Sequence, residues 1–262
     1  TDLVATLFRP LRSSKTARFD LAPLVVLIDP RRARRFLAGS GSPEINYLFE
    51  KQAAEADILA LNKTDSLPRA QGEKLVAELA ERFPGRPVVP LAARENAGVD
   101  ELLTLLGTVA PAERPLEISY ERYGASEAAL GWLNLRASVV AAGSVDANEL
   151  AIAMLAEIGR ESEARGWDVA HAKLYLVGGL DHAKASLTTS SELPTLDDSI
   201  SSHPGSLELV LNARVAAPPD GLELVAREAI ESAVAATGAT LSIGPAHAFR
   251  SGFPTPTHRI TT

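Results

Sequence analysis

Asn62, Lys63 and Asp65 bring an amide, a cation and a carboxylate together at the end of the apolar run "DILAL", in the stretch "DILALNKTDSL". A carboxylate there can accept two hydrogen bonds from a base that carries both a ring N–H and an exocyclic amine. Guanine offers that pair and adenine does not. The neighbouring amide can meet ring acceptors, and the lysine stem can lie flat along the base face. The competing account is a turn in which Asn62 and Asp65 cap the helix that follows. A second element arrives one strand later, in "VVPLAARENAGVDELL", where Ala92, Ala93 and Arg94 occupy the next strand end before a glycine-containing turn. A small residue at that place lets a backbone N–H approach a carbonyl oxygen of the base.

No phosphate cradle accompanies these residues. The pattern Gly-x-x-x-x-Gly-Lys-Ser/Thr occurs nowhere in the chain, and "LAGSGSP" (37–43) has glycines without the lysine, so it reads as a loop. No acid-base pair or nucleophile is apparent, and no catalytic residue is nominated. The five histidines stand at no metal-ligand spacing and there is no cysteine, so they read as satisfied or solvent-facing side chains, with no metal site.

The elements that must hold the two motifs follow from periodicity. "PLVVLID" is a buried-strand run, and Asp29-Pro30 then supplies a cap and a first-turn proline. Beyond it "RRARR" (31–35) reads as a solvated helix face, with phosphate contact as the alternative. Ile45, Leu48, Phe49, Gln52, Ala53 and Ala56 mark one face of a helix. "DILAL" is a second strand, 68–83 a helix with Leu75, Val76 and Leu79 inward, "RPVVPLA" a third strand and "GVDELLTLLG" a helix. Apolar strands alternating with helices imply a parallel sheet covered on both faces. Pro90 predicts that the third strand lies at an edge or ends there.

"TVAPAERPLEIS" (108–119) reads as a linker, dividing the chain into domains 1–110 and 120–262. In the second, "WLNLRASVVAA", "VAHAKLYLVGG", "KASLTTS", "SLELVLNARVAA" and "ATLSIGPAHAF" are strand candidates. Asp146 and Glu149 have capping-box spacing ahead of a helix that Gly166 stops, and 219–237 repeats apolar residues at helical spacing. Two βαβ-like units imply an α+β sandwich of ferredoxin-like type. The ending "FRSGFPTPTHR" is extended by its prolines, fitting a docking strand or a plain terminus.

The chain is 46% hydrophobic and 23% charged, the balance of a soluble globular protein. A net charge of −7 argues against a general nucleic-acid binder. No run of eighteen apolar residues is present to span a membrane, and the absence of cysteine points to a cytoplasmic protein. "TDLVATLFRPL" opens without an initiator Met or a signal-peptide pattern and reads as the interior of a longer chain.

The two motifs resemble the base-recognition half of P-loop GTPases, whose second element is usually Ser-Ala-Lys; here Ala92 and Arg94 replace its outer residues. The wider stretch "INYLFEKQAAEADILALNKTD" is similar to the CobW-type GTP-binding proteins, relatives of the UreG and HypB metallochaperones, in which a helix ending Gln-x-x-x-Ala-Asp leads into the base-reading strand. Gln52, Ala56 and Asp57 match that arrangement, and "TDLVATLFRPL" resembles the segment after the phosphate-sensing strand. The resemblance implies an α/β fold: part of a P-loop GTPase-like parallel sheet, followed by an α+β ferredoxin-like domain. It implies a GTP-binding protein tied to metal or cobalamin cofactor delivery, with GTP/GDP and Mg2+ as cofactors. Asn62, Lys63, Asp65, Ala92, Ala93 and Arg94 would hold the guanine nucleotide, and a metalloenzyme client or a second copy would be the protein partner. In that family the phosphate loop, the magnesium ligands and a Cys-x-Cys-Cys motif lie upstream of the segments matched here, so little hydrolysis is expected of this chain. The reading from a different class is a nucleotide-independent interaction module with a degenerate G-like layer.

Overall fold

The computed structural model describes residues 2–14, 19–111, 115–202 and 205–261. Positions 112–114 of the expected linker, and His203, lie outside them. The chain forms two compact units, one made of residues up to 124 together with 253 onward, the other of residues 125–252. Of the ending "FRSGFPTPTHR", residues up to Gly252 belong to the second unit and those from Phe253 onward to the first. There the Ile260 N–H donates to the Ala5 carbonyl at 2.9 Å, and the Arg259 Nε–H to Asp2 Oδ2 at 2.7 Å.

The first unit opens with a π-helical turn, Val4–Phe8, running into α1 (Arg9–Arg12). Three parallel strands follow in the order β1 (Val25–Ile28), β2 (Ile58–Leu61), β3 (Val88–Pro90). The third is an edge strand and also ends at Pro90, as a residue without an N–H requires. Asp29 caps α2 (Pro30–Leu37), accepting from the Arg31 N–H at 2.9 Å, and Ser42 caps α3 (Pro43–Glu55). The glycines of 37–43 fall in the turn between those two helices. α4 (Arg69–Arg82) joins β2 to β3 and α5 (Val99–Thr108) follows, while α6 (Tyr120–Ala128) runs from the first unit into the second. The sequence reading places no helix at α6.

β2 is buried along its whole length. Leu59 and Leu61 pack with Ile28, Ala33, Ala53, Ala56, Leu75, Leu79 and Phe83. Cover is less complete at the edge, where Leu27 of β1 is 60% exposed. The expectation of a sheet enclosed on both faces thus holds for the central strand and fails at β1. Two further details depart from the sequence reading. Arg32 is only 7% exposed, so "RRARR" is not a uniformly solvated face, and Gln52 points outward although its spacing puts it with the core residues. Asp57 holds the sheet together, for its Oδ2 accepts from the Leu24 N–H at 2.7 Å and fastens the start of β1 beside β2.

Glu55, in the last turn of α3, is 6% exposed and accepts from the Val4 N–H at 3.0 Å. Burial pushes its carboxyl above the ordinary value, against the opposing effect of that hydrogen bond. The folded state therefore keeps the proton to higher pH than the unfolded chain does. Stability tied to it is full below the unfolded value and is lost as pH rises through the raised one. Glu55→Gln keeps an acceptor for Val4 and removes the buried charge. It is expected to be more stable than the parent at pH 7 and to match it near pH 4, which urea unfolding at the two pH values checks.

The second unit is a six-stranded antiparallel sheet in the order β7 (Thr195–Asp198), β6 (Asp181–Leu187), β5 (Val169–Gly178), β8 (Ser206–Val215), β4 (Gly131–Val140), β9 (Thr240–Arg250). Leu133, Leu135, Leu174, Leu176, Leu209 and Leu211 alternate with outward-facing neighbours and pack under α7 (Ala147–Ala164) and α8 (Pro219–Ala235). Asp146 Oδ1 caps α7 by accepting from the N–H groups of Asn148 and Glu149, and Gly166 leaves the helix with a φ of +69°, a conformation that favours glycine. β7 lies between "KASLTTS" and "SLELVLNARVAA", where the sequence reading places no strand. It is four residues long and pairs only with β6, so little periodicity marks it.

Candidate functional site

The carboxyl ends of β1, β2 and β3 are laced together by backbone hydrogen bonds. The Asn62 N–H donates to Ile28 O at 2.9 Å and the Leu91 N–H to Leu61 O at 2.8 Å, while the Thr64 N–H returns to Leu91 O at 3.1 Å. The Thr64 hydroxyl reaches the same Leu91 carbonyl, also at 3.1 Å. Lys63 takes the left-handed conformation, φ +60°, which turns the chain sharply out of β2 into a short helical turn, Thr64–Ser66. That conformation is uncommon for a residue with a β-carbon. The Ser66 hydroxyl donates to Lys63 O at 2.6 Å and closes the turn.

These contacts decide against the capping account. α4 starts after Pro68 without a side-chain cap, and no side chain caps the turn at Thr64 either. Asn62 Oδ1 instead accepts from the Ala93 N–H at 3.1 Å, joining the two loops that the sequence singles out. Asp65 is exposed at the rim, and among the described residues its carboxylate has no hydrogen-bond or ion-pair partner. The Lys63 ammonium stands 3.6 Å from Asp29 Oδ2, at the end of the neighbouring strand. Ala92 is buried, whereas Ala93 and Arg94 are exposed.

The sequence reading lets a backbone N–H of this loop approach a base carbonyl; in the structure the Ala93 N–H donates to Asn62 Oδ1. A side-chain amide at the end of one strand meets an available donor in the next loop, and backbone N–H groups seldom stay unsatisfied when a partner is in reach. Asn62 and Ala93 therefore brace the site. Asp29, which the sequence marks only as a helix cap, faces Lys63. Its place directly after an adjacent parallel strand is the signal that could have found it.

The second loop is held open by glycine. Ala92 and Ala97 exchange backbone hydrogen bonds, N to O, at 2.9 and 3.2 Å, and Gly98 has φ +79°, with the position of a β-carbon only 2.2 Å from Pro90 O. Gly98→Ala adds both a clash and backbone strain. A loss of about 3 kcal/mol is expected, read as a lower melting temperature together with shifted amide resonances from 91 to 98.

His171, His182 and His247 belong to the second unit. His171 Nε2 is 3.1 Å from Asn212 Oδ1 and His182 Nε2 is 3.2 Å from Asp198 Oδ2, while the ring of His247 stacks on Phe249. Among the described residues no group of three metal-ligating side chains occurs, and no helix is long and apolar enough to cross a membrane.

No protein-family model and no curated protein matches the chain. Among solved structures it is similar to the Zn(II)-bound YjiA GTPase from E. coli, with 17% identity and a TM-score of 0.28, over 84% of this chain and 65% of that one. A Zn(II)-bound triple mutant of YjiA matches at 16% identity and the same TM-score, over 88% of this chain and 66% of that one. The chain thus spans just under two thirds of the proteins it matches. Likeness at this level is a distant one of fold and assigns no residue a role.

Proposed function

We propose that the carboxyl ends of β2 and β3 form a guanine-reading site and that the chain is the base-binding portion of a P-loop GTPase-like protein of CobW type. One observation carries the reading: the Asn62–Ala93 hydrogen bond joins the two motif loops while leaving the Asp65 carboxylate exposed and, among the described residues, unpartnered beside them. Asp65 would accept from the ring N–H and exocyclic amine of guanine, with the Lys63 stem along the base face and Arg94 at the rim. The strand order β9-β4-β8-β5, with α7 and α8 on one face, supports a ferredoxin-like second domain that β6 and β7 extend at one edge.

The sequence holds no glycine-rich loop suited to phosphates, and the described residues offer no cluster of metal ligands near Asp65, so no hydrolytic step is assigned to the chain. Magnesium, when bound with the nucleotide, would neutralise phosphate charge. A role in metal or cobalamin cofactor delivery in the cytoplasm, with a client protein or a second copy on the ferredoxin-like domain, is the outer part of the same proposal and rests on the resemblance.

A nuclear magnetic resonance titration of the full chain with GDP, GTP and ADP tests the reading. Base contacts without a phosphate cradle should give a Kd of about 1 mM for both guanine nucleotides, with shifts at Asn62, Lys63, Asp65 and Ala93, and at least tenfold weaker binding of ADP. Equal shifts with ADP would overturn it.

A further inference from the structure

We infer that Asp29 is a positioning residue for this site, acting as a clamp that holds the Lys63 side chain extended across the strand ends; the inference rests on the guanine reading above. The two oxygens of Asp29 have separate partners. Oδ1 accepts from the Arg31 N–H at 2.9 Å and caps α2, while Oδ2 stands 3.6 Å from the Lys63 ammonium. Lys63 is thereby held at both ends. Its backbone is locked in the left-handed turn, with the N–H groups on either side committed to Ile28 O and Leu91 O, and its charged tip is drawn toward the end of β1.

A lysine in solution samples many rotamers and loses that freedom when a ligand lies against it. A stem already drawn toward a fixed carboxylate has less freedom left to lose, so the clamp lowers the ordering cost of base binding. The pair suits this role because neither partner is fully buried, at 39% side-chain exposure for Lys63 and 21% for Asp29. A half-exposed pair contributes little to folding while still biasing a rotamer. The clamp also explains why a strand reading "VVLI" ends on a carboxylate when serine or threonine would cap α2 equally well: neither of those would attract Lys63.

A double-mutant cycle on the full chain, read as GDP affinity by amide shifts, tests the clamp. Asp29→Asn keeps a side-chain cap for α2 and removes the charge facing Lys63. Lys63→Met keeps an apolar stem and removes the ammonium. Each single variant is expected to weaken GDP binding about fivefold, with the double variant no weaker than Lys63→Met alone and the melting temperature of Asp29→Asn unchanged. Full additivity of the two losses, or no loss in Asp29→Asn, overturns the clamp. Wild-type chain that binds GDP and ADP alike overturns the guanine reading itself, and the clamp with it.

Discussion

Asp65→Asn is expected to weaken GDP binding at least 100-fold and to make xanthosine diphosphate the better ligand. The carboxylate can accept two charge-assisted hydrogen bonds from guanine, each worth about 1.5–3 kcal/mol against water. An amide replaces one acceptor with a donor and removes the charge, so one bond is lost and the other weakened. About 3 kcal/mol corresponds to roughly 100-fold in affinity. Xanthine carries a carbonyl where guanine carries the exocyclic amine, and the amide of the variant can donate to it while still accepting from the ring N–H. Asp65 is exposed and has no partner among the described residues, so the variant should unfold within about 0.5 kcal/mol of the parent. Competition titrations with the two diphosphates check the switch. Because the parent is expected to bind GDP with a Kd of about 1 mM, loss of the GDP-induced shifts at millimolar ligand reads as the weakening. Retained preference for GDP in Asp65→Asn would remove the carboxylate from the site.

The second large effect is on stability and should stay local. Leu61 is 0% exposed on the central strand, packed with Ile28, Leu75 and Leu79, and the residue after it is Asn62. Leu61→Ala leaves a cavity in a core of modest size, and a loss of about 2–5 kcal/mol is expected. That is a large share of what a unit of 134 residues possesses. The core under β4, β5 and β8 is built from a separate set of side chains. Hydrogen exchange in Leu61→Ala should therefore accelerate at β1, β2 and β3 and leave the amides of β4 and β8 protected. Uniform acceleration across both units would show that they unfold as one.

Much of this architecture is legible in the sequence because local rules and burial agree. "DILAL" is apolar after its first residue and becomes the central strand, with both faces enclosed. Asp146 announces the start of α7 and Gly166 its end, since capping depends on a few neighbouring residues. "SLELVLNARV" alternates strictly and becomes β8, with every second side chain buried. The segments missed are those whose form depends on remote neighbours. β7 owes its pairing to the edge offered by β6, and Arg32 is buried by what packs around α2 although its own composition reads as solvated. Gln52 has the right spacing and the wrong surroundings.

For the site, residue types alone determined which side chains could read a base: the carboxylate at 65, the lysine at 63 and the small residues at 92 and 93, placed at strand ends by the alternation of apolar runs and helices. Only the tertiary structure decided how they are arranged. Hydrogen bonds between residues some thirty positions apart are set by strand order and register, which no local pattern specifies. That is how Asn62 came to brace Ala93 rather than cap a helix, and how Asp29 came to face Lys63.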